Sequence, residues 1–429
     1  MKTGKLLCML LAAVLLCAVG LSAFAAADEP VTLTVAWWGS QSRNDKIQAA
    51  LDLYAKENNV KINTMTNTFT DHLPALSAAA TSGDLPDLAM LQGAYYQKFV
   101  DGDLLVNLNP YIESGALDLK NVSDSILAAT RIDGKLYGVC AGMNSPSIIY
   151  NKTLLDKNGI EIKDYMTMDE FAEKCAEIYK KTGYRTYINN VPQYIEMVCR
   201  GNGQILYENG KLGVNGPEDL LPVFKLLERG RNEGWLYDIG LAVGLDDSEN
   251  QPIVHYTTPE TGSWCSFYNS NQAAPMQDAA PEGVELALTT YGLDKQKESN
   301  YLREAMSWTV TSQSKHPDEA VKLLNWLINS PEANELIQAD PGVPASSKAA
   351  EALADKLPPI QKRIFNYVTN VITPCCSPSN PPAGNGSNEV IQLINDLDEK
   401  VQYGKMTAEE AANELFTEGN KIMADAAAA

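Results

Sequence analysis

Hydrophobic and polar positions follow two different periods in the first part of the chain. In 31–35 apolar and polar residues alternate, which predicts a strand that ends in Trp37-Trp38-Gly39. The apolar residues of 47–54 recur at helical spacing and predict a helix. The pattern continues with a strand at 60–64, a helix at 73–81 and a strand at 86–91. This alternation predicts βαβ units on a mostly parallel sheet of an α/β protein.

The stretch Tyr137–Leu155 has a different pattern. It is apolar at both ends and small or polar in between, which predicts two short strands joined by a connector rather than one core strand. Asn144, near its middle, carries two hydrogen-bond donors and an acceptor. Tyr150-Asn151-Lys152 predicts a strand end followed by a helix cap. We therefore interpret the stretch as a crossing between two bodies of the protein.

The remainder of the chain repeats helix and strand signals. Capping boxes at Thr167–Glu170 and Thr407–Glu410 predict two helix starts. Ser307–Val310 predicts a strand that returns after a long helical region, and the following helix opens at His316-Pro317. The Pro-, Gly- and Ser-rich stretch 374–387 predicts a long loop or a linker.

The N-terminus carries an export signal. Lys2 and Lys5 precede the apolar run 6–21, and Ala23-Phe24-Ala25 offers small residues around a cleavage point, which together predict a signal peptide over 1–27. The run is short for a membrane anchor, which needs about 20 apolar residues. Cys17 leaves a lipid anchor as an alternative, although Leu15 and Leu16 are poor neighbours for lipidation. We expect a protein exported to the periplasm or cell surface.

Composition excludes several partners. Against 54 Asp and Glu the chain has 34 Lys and Arg, a formal net charge of −20 that repels nucleic acid and anionic lipid. No cofactor is predicted. The chain has 3 His and no pair of cysteines at zinc-ligand spacing, so no metal site is predicted. Beyond the signal lie Cys140, Cys175, Cys199, Cys265, Cys375 and Cys376, whose pairing or free state sequence leaves open.

Several short stretches together resemble the bacterial extracellular solute-binding proteins of family 1, the sugar-binding components of ABC importers, which include maltose-binding-protein-like receptors. Each stretch is weakly specific, but together they cover nearly the whole mature chain. The matching stretches are Leu33–Gly39, Gly83–Asp87, Leu104–Leu108, Tyr150–Leu155, Ser314–Ala320, Gly342–Pro344 and Tyr403–Ala411.

The resemblance implies a two-lobe, type II periplasmic-binding-protein-like fold, with hinge crossings between the lobes and a solute cleft. We predict lobe 1 from 28–142 and 301–344, and lobe 2 from 143–300 and 345–429. Tyr137–Leu155 would then be the first hinge crossing, and crossings absorb the dihedral changes of closure.

Candidate contacts follow from this cleft. Strand ends, which face ligands in such sheets, place Trp38-Gly39 and Gln92 there, with Trp38 as an aromatic plate. Arg43 offers a fork of donors. A core or surface position is the alternative for each candidate. The resemblance adds aromatic and polar positions, so the full set of expected contacts is Trp38, Gly39, Arg43, His72, Gln92, Tyr95, Asn144, Tyr194, Trp264 and Trp308.

These observations predict a non-enzymatic, monomeric receptor that binds a mono- or oligosaccharide and delivers it to an ABC permease. One alternative keeps the fold but changes the solute to a polyamine or glycerol phosphate, for which the candidate set lacks the necessary acids or bases. Another is an extracellular carbohydrate-active enzyme. A hydrolase needs two carboxylates at the scissile bond, and the candidate cleft offers Asp71 and Asp87 at most.

Overall fold

The structure, a computed structural model, describes residues 30–245, 248–255, 258–381 and 383–428. The predicted signal peptide lies outside these residues. The strands are, in chain order, β1 Thr32–Trp38, β2 Lys61–Asn67, β3 Leu88–Leu91, β4 Arg131–Ile132, β5 Lys135–Leu136, β6 Val139–Asn144, β7 Pro146–Asn151, β8 Arg185–Thr186, β9 Ile205–Glu208, β10 Lys211–Gly213, β11 Ser263–Asn269, β12 Leu286–Thr289 and β13 Arg303–Val310.

The α-helices surround two of the sheets that these strands form. In chain order they are α1 Gln41–Asn58, α2 Phe69–Ser82, α3 Gly93–Asp101, α4 Asn109–Glu113, α5 Asp124–Leu127, α6 Lys152–Lys157, α7 Met168–Thr182, α8 Val191–Gly201, α9 Leu221–Glu233, α10 Pro252–His255, α11 Ala273–Ala279, α12 Gln296–Ser299, α13 Pro317–Asn329, α14 Pro331–Ile337, α15 Ser347–Ala354, α16 Pro359–Asn366, α17 Ser387–Gln402 and α18 Ala408–Ala428.

The first sheet has five strands in the order β2-β1-β3-β13-β6. β1 pairs in parallel with β2 and β3, so the predicted βαβ units are confirmed. β13 pairs antiparallel with both β3 and β6, so it enters the sheet from the opposite direction. α2 begins before the predicted helix, because the Thr68 hydroxyl accepts a hydrogen bond from the Asp71 N–H at 3.3 Å and caps it.

The second sheet has four strands in the order β12-β7-β11-β8. β7 lies between two antiparallel neighbours, β11 and β12, while β8 extends β11 in parallel. The predicted cap after β7 is confirmed, since the Asn151 side chain accepts from the Leu154 N–H at 2.8 Å. Both predicted capping boxes, at Thr167 and Thr407, also form their reciprocal hydrogen bonds.

Each sheet packs into its own core. Leu33, Val35 and Trp37, alternate residues of β1, are fully buried in a cluster under α1 and α13. Phe171 and Phe267 belong to a separate cluster in the second sheet's core, which shares no residue with the first. Burying one such side chain contributes about 1.5–3 kcal/mol, so each cluster stabilises its own body. The two cores divide the molecule into two lobes.

The lobes are joined where the two sheets meet. β6 ends at Asn144 and β7 begins at Pro146, so the predicted connector is confirmed as two strands in different sheets. A later segment crosses back into β13. Beside the first crossing, Met143 and Val343 exchange two backbone hydrogen bonds, of 2.7 and 3.0 Å, as an isolated antiparallel bridge. The chain returning from β13 is thus fastened to the first crossing.

We propose one change to the predicted lobe boundaries. The segment from 345 onward was assigned to lobe 2, but α15 packs on α13 and α14 of lobe 1, and the Ser347 N–H donates to the Asn121 carbonyl at 2.8 Å. α16, in contrast, packs on β12 and α11 of lobe 2. The last crossing therefore falls between α15 and α16.

Two further features concern the described residues only. The six cysteines beyond the signal are free thiols there, four of them buried. Burial raises the pKa of the Cys265 thiol well above its ordinary value. Within the same residues, no helix has the length and apolar character that a membrane span requires.

We expect Gly342→Ala to destabilise the protein by about 1–3 kcal/mol. Gly342 has φ +134°, and an added Cβ would lie 2.6 Å from the Met143 carbonyl oxygen and 2.8 Å from Asn144 Oδ1. Denaturant unfolding measures the loss. Gly115→Ala is the control, because Gly115 has φ +80° with nothing within 4 Å of the new Cβ. Equal losses in both variants would show that the crossing is not crowded.

Candidate functional site

The carboxyl ends of β1, β2 and β3 meet at one edge of the first sheet, because these strands are parallel. Each is followed directly by a helix, so the N-termini of α1, α2 and α3 lie at that edge and present backbone N–H groups. Ligands in open α/β sheets bind at such edges. The end of β6, from which the chain crosses to lobe 2, lies at the same edge because β6 runs parallel to β3.

The matching edge of lobe 2 comes from β8 and β11. Asn269, the last residue of β11, pairs with Pro146 at the crossing, so β11 ends facing lobe 1. β8 is parallel to β11 and leads into Tyr187–Asn190 at the same edge. The Asn189 Oδ1 accepts from the Phe267 N–H at 2.7 Å, and the Asn190 amide donates to Gln193 Oε1 at 3.0 Å. The edge is therefore rich in ordered amides.

Asn189, Asn190 and Asn269 are not among the contacts predicted from the sequence. A signal was present, since Asn189-Asn190 follows a short β-rich stretch and precedes Val-Pro at a helix start. No sequence pattern indicates Asn269, because its place at the crossing depends on the antiparallel pairing of β11 with β7.

An aromatic cluster lies at the lobe 1 edge. Trp38 contacts His72 in a tilted arrangement, with ring centroids 5.0 Å apart, and meets the edge of Phe69 at 5.9 Å. Trp38 is 7 % exposed, whereas Phe69 is 57 % exposed. The predicted plate is therefore corrected: Trp38 supports the cluster from beneath, and Phe69 offers the accessible ring face.

His72 is buried at 3 % exposure, and its Nε2–H donates to the Met90 carbonyl at 2.9 Å. Desolvation lowers the pKa of His72 below its ordinary value, which favours the neutral ring. This corrects the expected direct contact, because the proton-bearing nitrogen is used within the lobe. The ring instead orients Trp38.

Arg43 is also used within the protein. Its Nε lies 2.5 Å from Asp340 Oδ1, and one terminal nitrogen donates to the Trp38 carbonyl at 3.3 Å. This corrects the expectation of a fork directed at a solute. Gly39 lies against this side chain, since an added Cβ would be 2.4 Å from Arg43 Cδ. The pair fixes the turn between β1 and α1.

Asn144, expected to contact the solute, is 2 % exposed. Its amide donates to the Pro341 carbonyl at 3.1 Å, and its Oδ1 accepts from the Ser270 hydroxyl at 3.4 Å. The side chain therefore joins the first crossing to the returning loop and to lobe 2. The predicted solute contact is therefore corrected, because Asn144 instead holds the hinge segments together.

Three predicted aromatic contacts are core residues. Tyr194 and Trp264 are fully buried, with their polar atoms bonded to the Gly292 carbonyl at 2.7 Å and to Thr186 Oγ1 at 2.8 Å. Trp308 is 2 % exposed in the core of lobe 1. Each ring belongs to the core of a single lobe, so rotation of the lobes would not expose it. These predictions are wrong for that reason.

Gln92 and Tyr95 stay candidates. Both are partly exposed at the N-terminus of α3, and the Gln92 side chain makes no capping hydrogen bond. A cavity of about 240 Å³ lies between the lobes and has walls from both. Across the described ranges, no cluster of three or more His, Cys, Asp or Glu is arranged to hold a metal ion.

The two edges, the crossings and the cavity define one interlobe cleft. A sequence profile of bacterial extracellular solute-binding proteins matches residues 49–362, more than half of the 429-residue chain. The chain belongs to this family. Its members are binding proteins found outside the cytoplasm, and the two-lobe fold described above is theirs.

Individual relatives are distant. The chain is 26% identical over 162 residues to the arabinooligosaccharide-binding protein of Bacillus subtilis (strain 168), a match that covers 36% of this chain and only 37% of that protein. It is 23% identical to the maltodextrin-binding protein MdxE of the same organism, over 79% of this chain and 80% of that one.

A solved structure confirms the fold. The family 1 extracellular solute-binding protein from Alicyclobacillus acidocaldarius subsp. acidocaldarius DSM 446 superposes with a TM-score of 0.75 at 23% identity, covering 92% of this chain and all of that one. At this identity the likeness carries the fold and not the solute.

We expect Asn144→Ala to lower the free energy of unfolding by about 1–3 kcal/mol, because it leaves buried groups without partners. Asn413→Ala is the control, since that exposed amide bonds only within its own helix. Denaturant titration compares the two. Unchanged stability of Asn144→Ala together with weakened solute binding would return Asn144 to the set of solute contacts.

Proposed function

We propose that this chain is the extracytoplasmic receptor of an ABC importer, which binds a mono- or oligosaccharide between its lobes and delivers it to a membrane permease. The observation that carries the proposal is the exposed Phe69 ring at the lobe 1 edge, beside helix N-termini, together with Asn189 and Asn190 at the edge of lobe 2. An aromatic face suits the C–H face of a sugar, and amides suit its hydroxyls. The relatives above are an arabinooligosaccharide-binding and a maltodextrin-binding protein, which supports the same solute class.

The crossings support a receptor that closes on its solute. Two edges that face each other can contact one solute from both sides, and such contacts favour the arrangement in which the lobes are closer. Delivery of the solute then requires a permease that separates the two lobes again. We propose that the chain acts as a monomer, since one chain supplies both edges, and that it carries out no reaction on the sugar.

We expect a neutral oligosaccharide to raise the melting temperature. A solute that binds only the folded protein stabilises it by about 2.7 kcal/mol at one hundred times its Kd. For a protein of more than 150 residues this corresponds to a shift of several degrees, at about 2–4 °C per kcal/mol. A thermal-shift screen with arabino-, galacto- and malto-oligosaccharides measures it. A midpoint that moves with polyamines or glycerol phosphate, and with none of the sugars, would refute the sugar assignment.

We expect Phe69→Ala to weaken sugar binding by about two- to tenfold, because aromatic contacts contribute about 0.5–1.5 kcal/mol. Tyr403→Ala is the matched control, since Tyr403 is an aromatic residue exposed to a similar extent, 45 %, at the end of α17 in lobe 2. Calorimetric titration of both variants gives the comparison. Equal affinities in the two would show that the Phe69 ring does not contact the solute.

A further inference from the structure

The cavity between the lobes, which we call the hinge cavity, has walls from four parts of the chain. Lobe 1 contributes Ile126 and Ala129 and two residues of β6, the start of β13 contributes residues 302–304, and a loop of lobe 2 contributes residues 376–379. Its volume of about 240 Å³ would hold roughly eight waters at ~30 Å³ each, which is also room for one sugar ring. Because the walls belong to both lobes, a molecule in this cavity would contact both.

Two adjacent charged side chains, Arg303 and Glu304, line the cavity. Neighbouring residues of a regular strand point to opposite faces. Here the pairing of β13 with β6 shifts register just after Glu304, and such irregularities re-aim side chains. The shift allows the guanidinium and the carboxylate to reach the same space.

Among the described residues the partly buried Arg303 guanidinium makes neither a hydrogen bond nor an ion pair. Its positive charge does act on the nearby Glu196 and Glu304 carboxyl groups, whose pKa it lowers against the effect of burial. Arg200, close by, shows the opposite behaviour. It donates to the Ser299 carbonyl at 3.2 Å, to Ser377 Oγ at 2.8 Å and to the Pro378 carbonyl at 2.9 Å, and it stacks on Tyr301 at 4.4 Å. Arg200 thus holds the cavity wall, while the donors of Arg303 stay available.

Glu304 is held on one side only. Its carboxylate accepts a hydrogen bond from the Ser307 hydroxyl of the same strand, which leaves acceptor positions directed at the cavity. A partly buried carboxylate with so few partners costs free energy that a solute rich in hydroxyl groups could offset.

We propose that Arg303 and Glu304 are the specificity-determining pair of the solute site, and bind neighbouring hydroxyl groups of one sugar ring inside this cavity. The inference rests on the proposed function. Arg303 donates to the hydroxyl oxygens and Glu304 accepts from the hydroxyl hydrogens, as charge-assisted hydrogen bonds. A sugar held here is also fixed between the lobes, so the pair couples recognition to closure.

Proton binding gives the pair a measurable signature. Burial raises the pKa of Glu304 to about 7, and the neighbouring Arg303 and Ser307 oppose this rise. The other titratable groups around the pair are Cys140 on β6, Tyr96 on α3, Cys376 on the loop and Glu196 on α8, which interacts with Arg303, and burial raises the pKa of each. If the sugar binds the carboxylate, affinity rises as pH increases through 7, and binding near pH 7 releases a proton.

The experiment is calorimetric titration of the full mature chain with whichever oligosaccharide raises the melting temperature, from pH 5.5 to 8.5. For wild type we expect affinity to rise with pH, and proton release at pH 7 measured with two buffers of different ionisation enthalpy. Glu304→Gln and Arg303→Gln should each weaken binding by about tenfold or more, as expected for hydrogen bonds to charged groups. The pH dependence should disappear in Glu304→Gln. Glu113→Gln, an exposed carboxylate on α4, is the control.

The outcomes separate the two proposals. If wild type binds a sugar but its affinity is independent of pH and both variants bind as tightly as Glu113→Gln, the pair is not a solute contact and the receptor function stands. If no sugar binds wild type, the receptor function and this inference both fall. Melting curves of each variant establish folding, and the wild-type pH profile tests the pair even if a variant does not fold.

Discussion

The arrangement of the molecule depends on the joint at Met143 and Val343. Two backbone hydrogen bonds fasten the chain leaving lobe 1 to the chain returning from it. Asn144 adds a bond to Pro341 and one from Ser270, so three segments meet at one point. Backbone pairing of this kind fixes position without bulky side chains, which leaves the surrounding dihedral angles to absorb motion. The two sheet edges are opposed because this joint sets where each sheet begins.

Polar side chains near the cleft are of two kinds. Some are already hydrogen-bonded within the protein, and others keep hydrogen-bonding atoms available to a solute. Arg43, His72 and Asn144 are each bonded to their own protein, and the buried ones could not turn to a solute without leaving a polar group unpaired. Arg200 plays the same part for the loop that closes the hinge cavity. Groups that stay available, such as Arg303, are those whose donors form no internal hydrogen bond among the described residues. A binding protein needs both kinds, because a preorganised site requires fixed surroundings.

Aromatic residues divide in the same way. Trp264 and Tyr194 fill the core of lobe 2, where large rings contribute most by burial. Phe69 remains exposed because it is the first residue of α2, at the sheet edge, where the Trp38 ring packs against it from one side. A single exposed apolar ring is common on protein surfaces, so the position of Phe69 at the sheet edge matters more than its residue type.

The sequence by itself determined the βαβ start, the capped helices, the crossing at Tyr137–Leu155 and the family resemblance. These depend on local periodicity and local hydrogen bonds, as at Thr167 and Asn151, and such signals lie within a few neighbouring residues. Only the tertiary structure decided which candidate side chains reach a solute. Whether a tryptophan ring can contact a solute or is buried in the core depends on which distant parts of the chain pack over it. The sequence around Trp38 and Trp264 does not distinguish the two cases.

The lining of the hinge cavity likewise could not be predicted from the sequence. The sequence Arg303-Glu304 does not indicate that both side chains reach the same cavity, because the alternation of side chains along a strand predicts the opposite. That outcome depends on a register shift against β6, a strand far away in sequence, and on a loop held in place by Arg200. Local patterns determined the elements of this protein, and long-range pairing decided which of their side chains remain free to bind.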